Sequence, residues 1–433
     1  MDRILIAALP DSIGKEVLLK GWVHRIRQLG GINFVVLRDR TGTVQTVFRK
    51  SEDLAGLRNE MVVEVKGEVV SEPRAPGGIE VHVNSCTLTG DVYYGASIPL
   101  EISNQRSFDR AELGSVLDHR PLSLRNQKVQ AIFRIQSELI WAFREFLNRK
   151  GFTEIFTPKI VASGTEGGAE LFKVEYFDRT AYLAQSPQFY KQIMVGVFER
   201  VFEVGHVYRA EKHDTSRHLN EYLSLDYEMG FINDEQDVIA LEIDLLKYMF
   251  SHTKKACQAE LELWGTQVPE FETIPQIALK DALQLLEEKC GKRVKSKTDL
   301  DPEGEMLICQ YFKKETGTEL VYITHYPTSK RPVYTMPDEK NPELTKSFDL
   351  LFKGLEVTTG SQRIHDYAML VKNMEKSGLN PEDFDFYLQV FKYGMPPHGG
   401  LAIGAERLTK QLLNLPNIRM ASLFPRDRTR ITP

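Results

Sequence analysis

Cysteine is scarce in this sequence. Cys86, Cys257, Cys290 and Cys309 are the only four in 433 residues, and none stand at metal-ligand spacing. That excludes a zinc-ribbon pattern and a disulfide framework, and it suits a reducing, cytoplasmic setting. No apolar run approaches the roughly 20 residues needed to span a bilayer. The opening MDRILIAALPDSIGKE is broken by Pro10 and Asp11 and lacks a cleavage-type ending, which argues against a signal peptide. Low-complexity tracts and internal repeats are also missing. Net charge is only −5, a weak argument against a polyanionic partner if the charge were evenly spread.

It is not evenly spread. Residues 1–50 hold nine Lys/Arg against four acids, an excess of five, so the remaining chain carries −10. A basic N-terminal end on an acidic body fits a polyanion at that end. With 433 residues, 42% hydrophobic and 27% charged, two or more soluble domains are expected.

From residue 17 to about 102 the chain reads as five short strands, VLLKGWVHRIR, INFVVLRDR, TVQTVFRK, MVVEVKGEVV and IEVHVNSCTLTG. Turn residues at Gly30-Gly31, Thr41-Gly42 and Pro73 to Gly78 separate them. This spacing predicts a small closed barrel of the oligonucleotide-binding type over 1–102. Such barrels stack bases on aromatics and contact them from the sheet face, which singles out Phe34, Gln45, His24 and Arg25. Phe34 fits the barrel interior equally well.

Residues 103–125 are polar and aperiodic, a hinge ahead of a second domain over 126–433. That domain opens with an amphipathic helix, Asn126 to Arg149, whose Ile132, Ile135, Leu139, Phe143 and Phe146 fall at helical spacing. Lys150-Gly151 ends it. A strand from Phe152 is interrupted by Pro158, which marks an edge or interface. The loop Ser163 to Gly168, with Glu166 between glycines, reads as a lid. Helices are expected near 234–262, 278–290 and 302–315, in a region from 233 to about 345 that shows no catalytic spacing and reads as scaffold.

Three stretches carry the chemistry. Between Val201 and Met229 two alternating segments flank a polar loop, a hairpin signal. One face carries Leu223, Leu225, Tyr227 and Met229. The other carries Tyr222, Ser224, Asp226 and Glu228, with Arg209 and Glu211 on the first arm and Lys212, His213, Arg217 and His218 in the loop. Phe348 to Arg363 reads as an alternating strand ending in small residues and an arginine. Gly399 to Arg407 is a glycine-rich strand running into a helix. Charged side chains gathered on sheet faces are poor core material, so this polar face is either solvated or a site for a polar ligand.

Taken in order, these features resemble a class II aminoacyl-tRNA synthetase. The N-terminal barrel makes the chain similar to the aspartyl/asparaginyl/lysyl branch. TEGGAELF, LAQSPQFYKQ, RHLNEYLSLDYEM, YGMPPHGG and LFPRDRTRITP resemble the compact archaeal-type aspartyl-tRNA synthetases, which also occur in bacteria. The resemblance covers nearly the whole chain. It implies an α+β fold: a five-stranded OB-fold barrel and a catalytic domain on an antiparallel sheet flanked by helices.

The same resemblance implies the roles. Arg209 would hold the ATP α-phosphate and the amino-acid carboxylate, a task suited to a planar fork. Glu211 would meet the adenine side, and Arg217, His218 and Leu219 would cover the nucleotide. Gly404, Ala405, Glu406 and Arg407 would take the far end of the triphosphate. Asp349, Glu356 and Thr359 would hold Mg2+. Lys191 and Arg363 would grip the aspartate side chain, with Glu166, Gln188 and Thr359 around its backbone groups. On the barrel, Phe34 and Gln45 would contact the middle anticodon base. His24 replaces the tryptophan of strictly tRNA(Asp)-specific relatives, which is similar to enzymes that also charge tRNA(Asn). Those enzymes often carry a proline near the end of the barrel, where Asn84-Ser85 stands here. A homodimer through the long helix and the Pro158 strand is also implied, and no membrane. Three alternatives compete with this reading: an asparaginyl enzyme; an ammonia-using asparagine synthetase, whose relatives lack the barrel this chain has; and a single-strand-binding barrel on an unrelated body, which the sequence disfavours because it has no need for Arg209, Glu356 and Arg407 together.

Overall fold

The computed structural model describes residues 1–29, 32–49, 56–93, 99–164, 171–212 and 215–432. The chain divides into two compact units, Met1–Leu122 and Ser123–Pro433.

In the first unit, strands β1 (Glu16–Leu29), β2 (Ile32–Asp39), β3 (Gly42–Phe48), β4 (Val62–Ser71) and β5 (Ile79–Gly90) close into a barrel of order β1-β2-β3-β5-β4. Period-two alternation puts Val23, Val35, Leu37, Val44, Val63, Val65 and Val81 inside. Gly21 lets β1 cross close to β2, because a Cβ there would lie 2.3 Å from the Arg38 carbonyl oxygen. The register of β1 on β2 slips between Val23 and Arg25, so His24 sits in a β-bulge. Short helical turns at Gln105–Phe108, Leu113–Asp118 and Arg120–Ser123 fill the segment expected to be a featureless hinge.

The second unit is built on an eight-stranded mixed sheet of order β12-β13-β14-β15-β16-β11-β10-β6. Its members are β6 (Thr153–Glu154), β10 (Arg200–Tyr208), β11 (Glu221–Gly230), β12 (Gln276–Ala278), β13 (Leu320–Thr324), β14 (Ser347–Phe352), β15 (Leu355–Arg363) and β16 (His398–Gly404). The central strands pair antiparallel, and only the outermost pairs at each end are parallel. The smaller β7 (Ile160–Val161), β8 (Lys173–Tyr176) and β9 (Arg179–Leu183) form a separate sheet. Pro158 thus splits the expected strand into two short pieces in different sheets.

The long helix runs Gln127–Arg149, and the Asn126 side chain caps it by accepting from the Lys128 and Val129 amides. Its apolar stripe packs with the helix Glu235–Ala256 against one sheet face, where Phe143, Leu245 and Met249 meet Phe202, Tyr227 and Leu401. This leaves the opposite face of the central strands for the site. One expectation is corrected here. Phe348 to Arg363 is not one strand but the hairpin β14–β15, turned at Lys353 (φ 49°) and Gly354 (φ 80°). Two consecutive positive φ angles match the twist of a tight hairpin.

Candidate active site

Strands β11, β15 and β16 lie side by side, with Asp226 opposite Ala402 and Ala402 opposite Thr359. Over their polar face opens a cavity of about 290 Å³. Arg209, Glu211, Arg217, His218 and Leu219 reach it from the segment joining β10 to β11. Arg209 and Glu211 therefore leave from the loop rather than from the strand, since β10 ends at Tyr208. The Arg209 guanidinium stands 5.9 Å from the Tyr222 ring centroid and 4.0 Å from Glu211. His218 lies 3.8 Å from Glu211 through Nε2, and its Nδ1 meets the Thr215 hydroxyl at 2.7 Å. Gly404 caps the helix Ala405–Leu412, and Arg407 in its first turn points back to the cavity. Ala405 is buried beneath it. Both Glu406 oxygens accept from the Leu223 amide, and burial pushes this carboxyl up to about 8.

The floor carries carboxylates. Glu356 Oε1 accepts from Thr359 Oγ1 at 3.1 Å and from Arg407 at 3.2 Å. Arg331 donates to Asp349 Oδ2 at 2.7 Å. Burial raises both acids, but Arg407 and Arg331 hold Glu356 below the usual range, while Asp349 stays raised beside it. Two like charges at one site push their titrations apart in this way. Asp349 Oδ1 is buried with no hydrogen-bond partner. Among the described residues no group of three or more His, Cys, Asp or Glu could hold a metal. Magnesium does not require one, because it takes one or two carboxylates and completes its shell with water and phosphate oxygens. Asp349, Glu356 and Thr359 supply hard oxygens of that kind.

Beside the cavity, the polar face of β11 turns inward. Lys191 rises from the helix Gln188–Phe198 and is 1% exposed. Its ammonium donates to Asp226 Oδ1 (3.0 Å) and the Leu401 carbonyl (3.1 Å), and stands 3.3 Å from Glu228 Oε2. Arg363 Nε donates to the other Glu228 oxygen at 2.9 Å, and its Nη2 to the Gly400 carbonyl at 2.9 Å. Gly400 is required, because a Cβ would fall 2.4 Å from Glu228 Oε2. Burial raises Glu228, but Arg363 and Lys191 outweigh it and keep the carboxylate charged. Gln188 and Gln192 continue the network. Gln192 Oε1 accepts from Gln188 (3.0 Å) and Tyr387 (3.1 Å), so its amide nitrogen donates to His398 Nε2 at 2.8 Å. His398 then gives its Nδ1 proton to the Pro396 carbonyl. Burial depresses this imidazole to about 4.

In the barrel, Val36 lies opposite both Arg25 and Gln45, so the three stand in register across the outer face. Phe34 and Gln45 line a second cavity, of about 600 Å³, with Arg49, Glu80 and His82. Gln45 donates to Glu80 at 3.0 Å. Ser85 is exposed, and lies past the Glu80–His82 stretch where β5 pairs with β3, so it does not join this cavity. Glu166 falls outside the described residues.

Sequence reasoning missed several participants. Asp226 and Glu228 stood out as charge on the polar sheet face but had no role of their own, and Gln192 and His398 stood in the motifs LAQSPQFYKQ and YGMPPHGG without one. The expectation that residues 233–345 are scaffold is corrected. Glu305, in the first turn of the helix Pro302–Thr316, ion-pairs with Arg217, and Arg331 holds Asp349. Neither contact follows a local spacing, because the partners are 88 and 18 residues apart.

Residues 113–428 match the family described as tRNA synthetases class II (D, K and N), and residues 17–89 match an OB-fold nucleic acid binding domain. A protein of Deinococcus radiodurans named aspartate–tRNA(Asp/Asn) ligase is 51% identical, covering 100% of this chain and 99% of that one. One of the same name from Thermus thermophilus is 48% identical, with both chains fully covered. Among solved structures, asparaginyl-tRNA synthetase of Pyrococcus horikoshii complexed with asparaginyl-adenylate superposes with a TM-score of 0.93 at 32% identity, over the full length of both. The barrel and the sheet are therefore those of a shared lineage, and the chain belongs to the class II tRNA synthetases (D, K and N).

Proposed function

We propose that this chain is an aspartate–tRNA ligase that activates L-aspartate with ATP and charges tRNA(Asp) and tRNA(Asn). The observation carrying this reading is the convergence of Lys191 and Arg363 on the two oxygens of Glu228. Two buried cations at that separation are a receptor for a side-chain carboxylate. A neutral amide in the same place leaves them underpaired, a penalty of about 2–5 kcal/mol. In the free chain the three Lys191 hydrogens face Asp226, Leu401 and Glu228, the last at the longest distance. The substrate carboxylate would displace Glu228, while Asp226 keeps the ammonium oriented.

An oxygen of the aspartate α-carboxylate attacks the α-phosphorus, the bond to the diphosphate oxygen breaks, and diphosphate leaves. A ribose hydroxyl at the tRNA end then attacks the acyl carbon and AMP departs. No protein nucleophile is needed. Arg209 would hold the reacting carboxylate and α-phosphate, Arg407 the γ-phosphate, and Glu211, Arg217, His218 and Leu219 would enclose the nucleotide. Magnesium, held by Asp349, Glu356 and Thr359, would neutralise charge on the triphosphate. Gln188 and Glu166 are assigned to the amino-acid backbone, and Phe34, Gln45, Arg25, His24 and Ser85 to the anticodon.

Relaxed tRNA choice draws on His24 and on relatives named for both tRNAs at 51% and 48% identity. The asparaginyl reading has a solved neighbour at 32% identity and no use for Lys191. We also assign a homodimer, supported by the exposure of Phe156 (81%) and Ile160 (50%) on either side of Pro158, and a cytoplasmic location, supported by four free cysteines. No helix among the described residues is long and apolar enough to cross a membrane. The test is exchange of labelled diphosphate into ATP with L-aspartate or L-asparagine, followed by aspartylation of unmodified transcripts of both tRNAs. Exchange with asparagine alone would overturn the assignment. Charging of tRNA(Asp) alone would remove the relaxed part.

A further inference from the structure

The barrel buries one ion pair where nothing in its core calls for charge. Arg38 is 3% exposed and Glu60 is 7% exposed. They meet as a fork, Nη1 to Oε1 at 3.1 Å and Nη2 to Oε2 at 2.8 Å. The backbone is bent to bring them together. Glu60 adopts a left-handed φ of 69°, uncommon for a side chain of its size. Its amide donates to the Val23 carbonyl at 2.7 Å, while the Val23 amide donates to Met61 at 2.8 Å. This anchors the bulge that carries His24. Bulges re-aim a side chain, and strained residues gather where geometry serves a task.

The third member is His24. Arg38 Nη1 also lies 2.9 Å from His24 Nδ1. A guanidinium has only donors, so Nδ1 must accept, and in the neutral ring the proton then belongs to Nε2. Resting on the proposed anticodon role of His24, we propose that Arg38, clamped by Glu60, is a positioning residue that fixes His24 in the Nε2–H tautomer, so that the barrel presents a nucleobase with a hydrogen-bond donor. The charged groups facing the ring are Arg38 from β2, Glu60 ahead of β4, and Arg25 on its own strand. Burial, then Arg38, hold its pKa below the ordinary 6.5, and Glu60 only partly opposes them.

The tautomer has a consequence for specificity. In the standard code the anticodons for aspartate and asparagine differ by a single cytosine-to-uracil change. Both pyrimidines carry the O2 acceptor, and they differ at N3 and at the 4-position. An Nε2–H donor satisfied by O2 treats them alike. An imidazole free to offer Nε2 as an acceptor at the 4-position would meet a donating amino group on cytosine and a second acceptor, O4, on uracil, and would separate them.

The test uses the full chain and the double variant Arg38→Met/Glu60→Leu. Replacing both members of a buried pair by apolar side chains is often neutral for folding. Deuterium exchange at imidazole C2, read by mass spectrometry on the His24 peptide, gives the pKa of that ring. The expected wild-type value lies below 6.5, and the variant value rises toward it. The variant KM for tRNA should become dependent on pH across about pH 6–8. The tRNA(Asp)/tRNA(Asn) aspartylation ratio should shift by roughly threefold to tenfold, as for one neutral hydrogen bond, while aspartate-dependent diphosphate exchange is retained. An equal His24 pKa in both proteins would overturn the clamp. If His24→Ala leaves KM for both tRNAs as in wild type, the nucleobase half is overturned separately. Neither result is confused with failure of the ligase reading, which would appear as absent diphosphate exchange in the wild-type chain.

Discussion

Each unit buries an arginine against a glutamate, Arg38 on Glu60 and Arg363 on Glu228, and the two pairs serve opposite ends. In the catalytic unit a second cation, Lys191, shares the glutamate, so the cluster is poised to exchange one anion for another. In the barrel the second partner is a neutral imidazole, so the pair orients a donor and supplies no charge to a ligand. Burying an ion pair is costly, and a hydrophobic replacement often folds as well. On the roles proposed for them, each cost supports a different selectivity: for charge at the sheet, for tautomer at the barrel.

The sharpest way to break this contrast is Lys191→Met. The variant leaves Asp226 and Glu228 with one cation fewer and should lose about 3–5 kcal/mol of stability. Its kcat/KM for aspartate in diphosphate exchange should fall by about a thousandfold or more. Thermal melts alongside exchange separate the two effects. A fall of less than tenfold in a folded variant would mean the buried cations do not select the substrate. Next come Arg209→Gln and Arg407→Gln, each expected to lower the exchange rate at saturating aspartate by roughly 10²–10³, the usual loss when a preorganised charge is removed. The effect should fall on kcat, because the proposed roles place these groups on phosphate rather than on the aspartate side chain.

Acid sensitivity sharpens the comparison further. His398 is neutral in the folded chain, with its pKa depressed to about 4 from 6.5. The unfolded chain takes up this proton as pH falls through 6.5, and the folded chain does so only near 4. The stabilisation is therefore complete above 6.5 and is lost progressively down to about 4, by up to about 3 kcal/mol. In His398→Asn the loss between pH 7 and pH 4.5, measured by urea unfolding, should be smaller. Carboxyls raised by burial, such as Glu406 at about 8, act in the opposite sense but do so in both proteins, so they cancel in the difference.

How far the sequence carried depended on the range of the interaction. Alternation placed Leu225 and Tyr227 in the core and Asp226 and Glu228 opposite them, and helical spacing placed the stripe of Gln127–Arg149. Both signals lie within a dozen neighbouring residues. The hairpin at Lys353-Gly354 was missed although its signal was local, because alternation on both sides, Phe348-Asp349-Leu350 and Leu355-Glu356-Val357, masked a two-residue turn. The partners Glu305 and Arg331 could not be read at all, and His398 stood in the motif YGMPPHGG with no role attached. Each reaches the site through a contact set by the sheet order, and that order is absent from any single window of the chain. The barrel bulge at His24 is similar, since a one-residue slip against β2 leaves no trace in composition.

Phe34 separates the two units most finely, because its sequence left core and ligand roles equally open. The ring is outside the barrel's buried cluster and lines the cavity with Gln45. A core phenylalanine cut to alanine costs about 3–5 kcal/mol of stability. A base-stacking ring costs about 1–3 kcal/mol of binding for the base it covers. Phe34→Ala should therefore melt close to wild type and raise the KM for both tRNAs by roughly tenfold, with Phe34→Trp restoring it. A large drop in melting temperature would return Phe34 to the barrel core and leave Gln45 and Arg25 as the face's contacts with a base.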